Sequence, residues 1–345
     1  MERMEEKRKN IPMGLQSLKF GAGIHILEGA SVVGKKEGEG PLGALFDEVL
    51  EDPYFGGNCW EEAEANLQRR TAKRAIEKAG LKKEDIRYIF SGDLLNQLIA
   101  TSFGLEELSI PLFGLYGACS TMGEALSLAA IAMSADCGDY CIAMASSHFG
   151  SAEKNYRFPL EYGNQRPLSS TWTVTGSGSV ILGKCGGFAR ITGITTGKVT
   201  DLGCKDSMNM GAAMAPAAAN VIYQNLADFG YEPEEYDRII TGDLGSVGQN
   251  ILFDLLEAKG KNIRGQHMDC GIEIFSSKKQ DTHSGGSGCG CSASVLCSYV
   301  FKQLKLKKWK KVLFVPTGAL LSTISFNEGM TIPGIAHGVV IEAVN

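Results

Sequence analysis

The sequence has no long apolar run. None of its 345 residues lies in an uninterrupted apolar stretch of about 18, the length that a membrane-spanning helix needs. A dense basic stripe is also missing, and the formal net charge of -5 argues against a nucleic-acid-binding surface. The initial segment MERMEEKRKN lacks the apolar centre of a secretory signal, and we predict a disordered charged tail at residues 1–12. These absences indicate a cytoplasmic protein that reaches a membrane only through partner proteins.

The ten cysteines form neither a disulfide framework nor a metal-binding pattern. Several of them, including Cys137, Cys141 and Cys297, lie inside apolar runs, where a cysteine is typical of a small buried side chain. The nearest approach to a metal motif, at residues 289–291, does not have the spacing of a zinc ribbon. We therefore predict reduced cysteines, no metal site and no bound cofactor.

An internal repeat is the strongest feature that the sequence does contain. The stretches EDIRYIFSGDLLNQ (84–97) and EEYDRIITGDLGSVGQ (234–249) each hold an apolar run followed by a Gly-Asp-Leu motif. Each follows a helical pattern that ends at a glycine, Gly80 or Gly230, and precedes a Gly-rich turn, an apolar helix and a buried strand. This alternation predicts an α/β fold with βαβ units and a mostly parallel sheet. We expect two pseudo-symmetric halves, residues 13–188 and 189–345.

The stretch GACSTMGEAL (117–126) places one cysteine, Cys119, between small residues and a helical pattern. Thr121 and Glu124 have the spacing of a capping box, which predicts that Cys119 lies just outside a helix N-terminus. Unpaired N–H groups at that position would stabilise a thiolate. The small residues would allow a sharp turn that exposes the sulfur, as in a nucleophile elbow. The alternative interpretation is a buried structural cysteine.

The doubled plan and the cysteine turn resemble the thiolase superfamily, which includes the ketoacyl synthases. Further stretches in order, such as EYGNQRP, TVTGSGSVIL, MGAAMAPAAA and TIPGIAHGVVIE, more closely resemble the stage V sporulation protein AD family of spore-forming bacteria. The resemblance implies a layered α/β/α/β/α sandwich that pairs as a homodimer. It also implies a soluble subunit of a dipicolinate uptake complex. Such a subunit would bind dipicolinic acid, alone or as its calcium chelate, and associate with the spore inner membrane through other membrane subunits.

The catalytic pattern of the superfamily is broken in this sequence. Its condensing enzymes pair the cysteine with a histidine and a second histidine or asparagine, which polarise a carbonyl and stabilise an enolate. Here Gly242-Asp243 and Gly286 stand at the matching positions, and Thr317 replaces the second thiolase cysteine. The loss of these partners favours a binding protein over an enzyme, because backbone donors at a helix N-terminus suit a carboxylate as well as an oxyanion.

Two other functions remain open at this point. One is a condensing or acyl-transfer enzyme in which Cys119 works with His148 or His283. The other is a purely structural partner that docks membrane subunits and binds no small molecule. Asp93 and Asp243 are interpreted as caps that fix their turns, rather than as an acid pair or a calcium site.

Contacts to the ligand are expected from the two Gly-rich turns and from the mixed segment 145–167, which we predict roofs the pocket. In that segment Arg157 offers a fork for a carboxylate, and Tyr156, Phe158 and Tyr162 offer rings that can stack on a pyridine. His148 is expected to point toward the cysteine turn, Ser287 to supply a hydroxyl and Gly318 an N–H group. The predicted ligand-binding residues are Cys119, Ser120, His148, Arg157, Ser287 and Gly318.

Overall fold

A computed structural model describes residues 10–156 and 165–344 of the chain. The strands are β1 (Ile11–Met13), β2 (Ser17–Gly34), β3 (Glu48–Leu50), β4 (Ile86–Gly92), β5 (Leu112–Gly114), β6 (Tyr140–Ser147), β7 (Trp172–Thr173), β8 (Gly176–Gly183), β9 (Ala189–Thr195), β10 (Arg238–Thr241), β11 (His267–Asp269), β12 (Gly286–Ser287), β13 (Lys311–Val315), β14 (Thr317–Ala319), β15 (Gly334–Ala336) and β16 (Gly338–Ala343).

The helices follow the repeat that the sequence predicts. In chain order they are α1 (Lys35–Gly38), α2 (Trp60–Lys78), α3 (Ile99–Leu105), α4 (Thr121–Ser134), α5 (Phe149–Tyr156), α6 (Met210–Phe229), α7 (Gly245–Glu257), α8 (Cys270–Ile274), α9 (Cys289–Val295), α10 (Phe301–Lys305) and α11 (Thr323–Asn327). A π-helical turn, Leu296–Val300, joins α9 to α10. Short 3₁₀ turns lie at Gly43–Leu45, Lys83–Asp85, Asn96–Leu98, Glu106–Leu108 and Pro233–Glu235.

The main sheet has the strand order β11-β10-β13-β16-β9-β2-β8-β6-β4-β5, with β1 and β3 also paired to β2. Counted inward from each end of the sheet, the two halves have equivalent strand orders: β5-β4-β6-β8-β2 in the first half and β11-β10-β13-β16-β9 in the second. β4 pairs in parallel with β5 and β6, just as β10 pairs in parallel with β11 and β13. β8 then runs antiparallel to β6 and β2, just as β16 runs antiparallel to β13 and β9. The predicted α/β fold with two pseudo-symmetric halves is confirmed.

Two details of the predicted fold are wrong. The sheet is mixed rather than mostly parallel, because β8 and β16 each run antiparallel to both neighbouring strands and the two halves join antiparallel at β2 and β9. The predicted tail is too long, because Ile11 and Pro12 belong to β1 and pair with Lys19 and Leu18. Residues 1–9 of that tail lie outside the described residues.

Helices and sheet stack in five layers. The central layer holds α4 and α9, and one continuous apolar core joins them to strands of both halves. Small side chains allow this burial: every residue of α9 is buried. On the outer face of the first half, α2 packs on β4 and β6; on the outer face of the second half, α6 packs on β10 and β13. The layers therefore follow the α/β/α/β/α order that the resemblance implies.

The predicted helix ends are also confirmed. Gly80 follows α2 with a φ of 68°, and Gly230 ends α6 in the left-handed conformation with a φ of 66°, which glycine adopts without a steric cost. In the described ranges, no helix combines the length and the apolarity that crossing a bilayer requires.

Candidate functional site

Cys119 lies in the turn between β5 and α4. The helix begins at Thr121 with Ser120 as its N-cap, so the predicted position of the cysteine, just before a helix N-terminus, is confirmed. Ala118 has a φ of 49°, a left-handed conformation that few non-glycine residues adopt. This sharp bend brings the sulfur to the start of the central helix.

The hydroxyl groups beside Cys119 stabilise the turn through hydrogen bonds and do not form a capping box. Thr121 donates to the Ala118 carbonyl at 2.6 Å and accepts from the Gly117 N–H at 3.1 Å. Ser120 donates to the Gly117 carbonyl at 2.7 Å. Glu124 Oε2 is shielded from solvent and has no hydrogen-bond partner among the described residues, so the predicted capping box is wrong. Ser120, a predicted ligand contact, is fully buried in the turn and does not line the cavity described next.

A cavity of about 60 Å³ opens beside the sulfur, and we call it the cysteine cavity. A volume of this size holds several water molecules, since roughly 10–15 Å³ suffices for one. Its apolar walls are Leu94, Ala118, Ala152, Met210, Ala319 and Leu321. Its polar lining residues are Cys119, Glu153, Tyr156, Thr173, Asp243 and Ser287. The structure thus brings together residues from the ends of strands in both halves, as expected for a site in such a fold.

Asp243 is the polar partner of Cys119. Its fully buried carboxyl group accepts hydrogen bonds from the Thr317 hydroxyl at 2.7 Å and from the Gly288 N–H at 3.0 Å, and the Cys119 thiol lies beside it. Burial raises the pKa of Asp243 to about 7, against the opposing effect of Thr317, Cys119 and Gly288. The sequence-based interpretation of Asp243 as a turn-fixing cap is therefore incomplete, because the same carboxyl group faces the cavity.

The same contacts set the protonation state of the sulfur. Burial, followed by the charge of nearby Asp243, raises the pKa of the Cys119 thiol well above its ordinary value. The expectation that the helix N-terminus stabilises a thiolate here is wrong, because desolvation and a neighbouring carboxyl group outweigh the helix dipole. Both effects favour the neutral thiol of Cys119 over the thiolate of an activated nucleophile.

No imidazole replaces the missing catalytic partners. His148 is held away from the cavity, since its Nε2 bonds the Pro53 carbonyl at 2.8 Å and its Nδ1 accepts from the Gly150 N–H at 3.0 Å. His283 bonds the Pro167 carbonyl and lies 3.1 Å from an Asp281 carboxylate oxygen. All five histidines lie in the described ranges, and none of them lines the cysteine cavity. The prediction that His148 points toward the cysteine turn is wrong.

Comparison with known proteins shows which family the chain belongs to. The family model for stage V sporulation protein AD matches residues 14–342. The chain belongs to the stage V sporulation protein AD family. A relative in this family, stage V sporulation protein AD of Bacillus subtilis (strain 168), is 42% identical over 329 residues, which cover 95% of this chain and 97% of the relative.

Solved structures show the thiolase-like fold at much lower sequence identity. The 3-oxoacyl-[acyl-carrier-protein] synthase III of Aquifex aeolicus VF5 matches with a TM-score of 0.57 at 13% identity, covering 93% of this chain and all of the other. The Acat5 thiolase of Ascaris suum, solved in complex with coenzyme A, gives 0.55 at 11% identity, covering 93% and 100%. The OleA protein of Xanthomonas campestris gives 0.56 at 12% identity, covering 96% and 99%. These likenesses concern the fold alone.

In this member of the sporulation protein family, the remaining predicted residues fall into three groups. Ser287 lines the cysteine cavity. Its strand, β12, pairs in parallel with β7, where Thr173 lies opposite Ser287. Gly318 does not line the cavity but presses against the cysteine turn, since a Cβ at this position would lie 2.3 Å from the Gly117 carbonyl oxygen. Arg157, with Phe158 and Tyr162, lies outside the described residues.

The first-half aspartate has a structural role. Asp93 accepts from the Leu95 N–H and the Thr101 N–H, both at 2.8 Å, and from the Thr101 hydroxyl at 2.6 Å. The interpretation of Asp93 as a residue that fixes its turn is confirmed. The two aspartates of the repeat therefore occupy equivalent places in the fold, but only the second-half aspartate reaches the cavity.

Sequence reasoning missed Tyr116 and its hydrogen bond to Tyr156 beside the cavity. The Tyr116 hydroxyl donates to the Tyr156 hydroxyl at 2.6 Å, which in turn donates to the Leu94 carbonyl at 2.5 Å. Tyr156 had been considered only as a ring for stacking, and its ring does line the cavity. The position of Tyr116, three residues before Cys119 in the Gly-rich turn, was the available signal.

The charge of the cysteine cavity is acidic rather than basic. Of the described residues that line it, two carry carboxyl groups, Glu153 and Asp243, and none is a lysine, arginine or histidine. Within the described ranges, no group of three or more His, Cys, Asp or Glu side chains is arranged to hold a metal ion. An anion that enters must therefore bring its own counter-charge or meet a protonated Asp243.

Proposed function

We propose that this protein is a non-catalytic thiolase-fold protein that binds dipicolinic acid and supports its uptake into the developing spore. In this proposal it is a cytoplasmic subunit of a membrane transport complex, held at the spore inner membrane by partner proteins. The observation that carries the binding role is the state of Cys119. Burial and the neighbouring Asp243 carboxyl group raise the pKa of its thiol, and no histidine lines the cavity beside it, so the site retains a cavity without the features of an activated nucleophile.

The chemistry of the cysteine cavity supports a small flat ligand. Apolar walls and the Tyr156 ring suit one face of a pyridine, and the Ser287 and Thr173 hydroxyls can donate to a carboxylate. A cavity of about 60 Å³ suits one small ring rather than a long acyl chain. We therefore favour a single-ring carboxylate such as dipicolinate.

The acidic lining supports the calcium chelate over the free dianion. Ca²⁺ takes six to eight oxygen ligands, so a chelated ion keeps positions free for protein carboxylates. Asp243 can fill one such position when it is ionised, above its pKa of about 7, and the same charge repels an uncompensated dianion. The proposal thus assigns the metal to the ligand rather than to a resident site.

Calorimetric titration with dipicolinic acid, with and without Ca²⁺, tests this proposal. We expect heat of binding in both series, with tighter binding when calcium is present. At pH 8, above the Asp243 pKa of about 7, Asp243→Asn should reverse this preference by removing one negative charge, and we expect about a tenfold gain for the free dianion. Cys137→Ala, which alters an exposed cysteine, serves as the matched control. Absence of heat at millimolar ligand in both series would overturn the proposal.

The acyl-transfer alternative makes the opposite prediction for Cys119. An activated thiolate would form an acyl adduct with acyl-CoA donors, visible as a mass increase of the intact chain. We expect no adduct at Cys119, because its pKa is raised well above the ordinary value. A stable adduct on this residue, accompanied by turnover, would favour the enzyme.

The free edge of the sheet supports a homodimer. β5 is the edge strand at the first-half end of the main sheet. All three of its residues are exposed, and the Phe113 side chain is 50% accessible to solvent. An edge strand presents unpaired N–H and C=O groups to another chain, and Leu112 and Phe113 add an apolar surface to this one. We therefore propose that a second copy of this chain covers the edge.

Light scattering checks the dimer through one substitution. Phe113→Asp places a charge at the proposed contact and should shift the molar mass from dimer to monomer. Ile324→Asp makes the same change at an exposed position on α11 and should leave the dimer intact. A monomeric unmodified protein, or a dimer that survives Phe113→Asp, would contradict this interface.

A further inference from the structure

A second cavity lies where the two halves of the sheet join. It has a volume of about 220 Å³, and we call it the seam cavity. Residues from β2, β9 and β16 line it, together with Phe229 at the end of α6 and Tyr231 just beyond that helix. It shares no lining residue with the cysteine cavity, so its role is separate from the function proposed above.

An interruption of the β2–β9 ladder creates this recess. Lys19 pairs with Gly193 and Ile24 pairs with Ile191, so four residues of β2 (20–23) stand opposite the single residue Thr192. Such a bulge bends the strand and withdraws its backbone from the ladder. Gly23 has a φ of 68°, which permits this bend.

The seam cavity carries unmatched positive charge. Lys19 and Arg190 both line it, and neither forms an ion pair with a described acidic residue. Glu342 is the cross-strand neighbour of Arg190, but its carboxylate lies 3.8 Å from the Lys311 ammonium instead. Glu342 also lines the cavity, so the lining holds two cations and one carboxylate that faces Lys311, which leaves a net positive charge.

One donor in the seam cavity is also unsatisfied. Arg190 Nε is shielded from solvent and has no acceptor among the described residues. A buried donor of a charged group that makes no hydrogen bond is costly, so this position favours an acceptor that is not part of the described chain. An oxygen atom with negative charge satisfies the donor and both cations together.

We propose that the seam cavity binds a small oxyanion, presented as a phosphate or carboxylate group between Lys19 and Arg190. The Thr192 side chain adds a hydroxyl to the lining, and the Phe229 and Tyr231 rings are stacked with their centroids 5.6 Å apart. The Lys311 ammonium lies 3.6 Å from the Tyr231 ring centroid, so the size of the cavity, about 220 Å³, and not a free ring face, leaves room for one ring attached to the anion. The ligand is therefore an anion no larger than one substituted ring.

Calorimetric titration of the full chain with sodium phosphate and, separately, with sodium benzoate tests this site. We expect one of the two anions to bind. Binding of phosphate would identify the charged group of the ligand as a phosphate, and binding of benzoate would identify it as an aromatic carboxylate. Lys19→Ala and Arg190→Gln should each weaken binding about tenfold, because each removes a charge-assisted hydrogen bond. Added salt should weaken it further.

Lys198→Ala removes one charge from an exposed residue outside the seam cavity and should leave binding unchanged. Lys19 is itself exposed, so its variant tests the site even where Arg190→Gln fails to fold. Failure of both anions to bind, or equal binding to the unmodified protein and Lys19→Ala, would overturn the proposal. Dipicolinate binding that persists in both Lys19→Ala and Arg190→Gln arises outside the seam cavity, so the two proposals can fail separately.

Discussion

The Asp243→Asn variant is expected to gain up to about 4 kcal/mol of unfolding free energy over the unmodified protein as the pH rises from about 4 to about 8. Burial raises the pKa of the Asp243 carboxyl group from its ordinary value of 3.8 to about 7 in the folded chain. Between these two values the folded state keeps a proton that the unfolded state releases. The unmodified protein therefore loses stability through this window, and the loss levels off above about pH 7. Asparagine has no such proton, so the variant escapes the loss.

The local hydrogen bonds allow this substitution to preserve the fold. Asparagine has nearly the shape of a protonated aspartic acid, and its amide oxygen can accept from the Gly288 N–H. Its NH₂ group then faces the Thr317 hydroxyl and the Cys119 sulfur, both of which can accept a hydrogen bond. The neutral state of the site is thus retained at every pH.

Urea unfolding at a series of pH values measures this effect. The informative quantity is the difference between Asp243→Asn and the unmodified protein, because contributions of other buried groups cancel in it. Asp254→Asn, which alters an exposed carboxylate on α7, is the control and should change stability by no more than about 0.5 kcal/mol. A difference that stays flat from about pH 4 to about pH 8 would show that Asp243 is ionised in the folded chain without cost.

The architecture was predictable because it depends on local patterns that occur twice. Apolar runs, helical periodicity and the glycines at 80 and 230 indicate elements one by one, and their repetition indicates the pseudo-symmetry. The mixed pairing was not predictable in this way. Strand direction depends on whether a connection crosses the sheet, and a buried strand has the same apolar pattern in either direction.

The position of Cys119 could be predicted from the sequence, but the protonation chemistry of its thiol could not. Its position before a helix follows from nearby residues, whereas its pKa depends on burial and on Asp243, which comes from the other half of the chain. The same limit applies to His148. Its ring direction is set by the Pro53 carbonyl, which lies far from it in sequence. Contacts between distant segments carry the part of the site that local patterns do not encode.

Alanine at position 318 is expected to destabilise the protein by about 3 kcal/mol and to abolish binding in the cysteine cavity. Gly318 lies in β14, which pairs with β15, and faces the cysteine turn. A Cβ at this position would lie 2.3 Å from the Gly117 carbonyl oxygen and 3.0 Å from the Ser120 nitrogen. Both contacts are with backbone atoms, so no flexible side chain can move aside.

The turn has little freedom to yield to this methyl group. The Gly117 carbonyl accepts from the Ser120 hydroxyl, and the Gly117 N–H is bound by the Thr121 hydroxyl. A shift that relieves the clash must break these hydrogen bonds or move β14, which also carries Thr317 and its contact to Asp243. Either movement displaces the sulfur and the carboxyl group that form the cavity.

Gly265→Ala isolates the clash from the general effect of adding a methyl group, because a Cβ at position 265 would have no neighbour within 4 Å. Thermal unfolding should distinguish the two variants, with a large decrease in Tm for Gly318→Ala and little change for Gly265→Ala. Dipicolinate titration of the folded fraction then separates stability from binding. A stable Gly318→Ala protein that binds as well as the unmodified chain would mean that the cysteine turn tolerates movement, and that the contact between the two halves does not set the shape of the cavity.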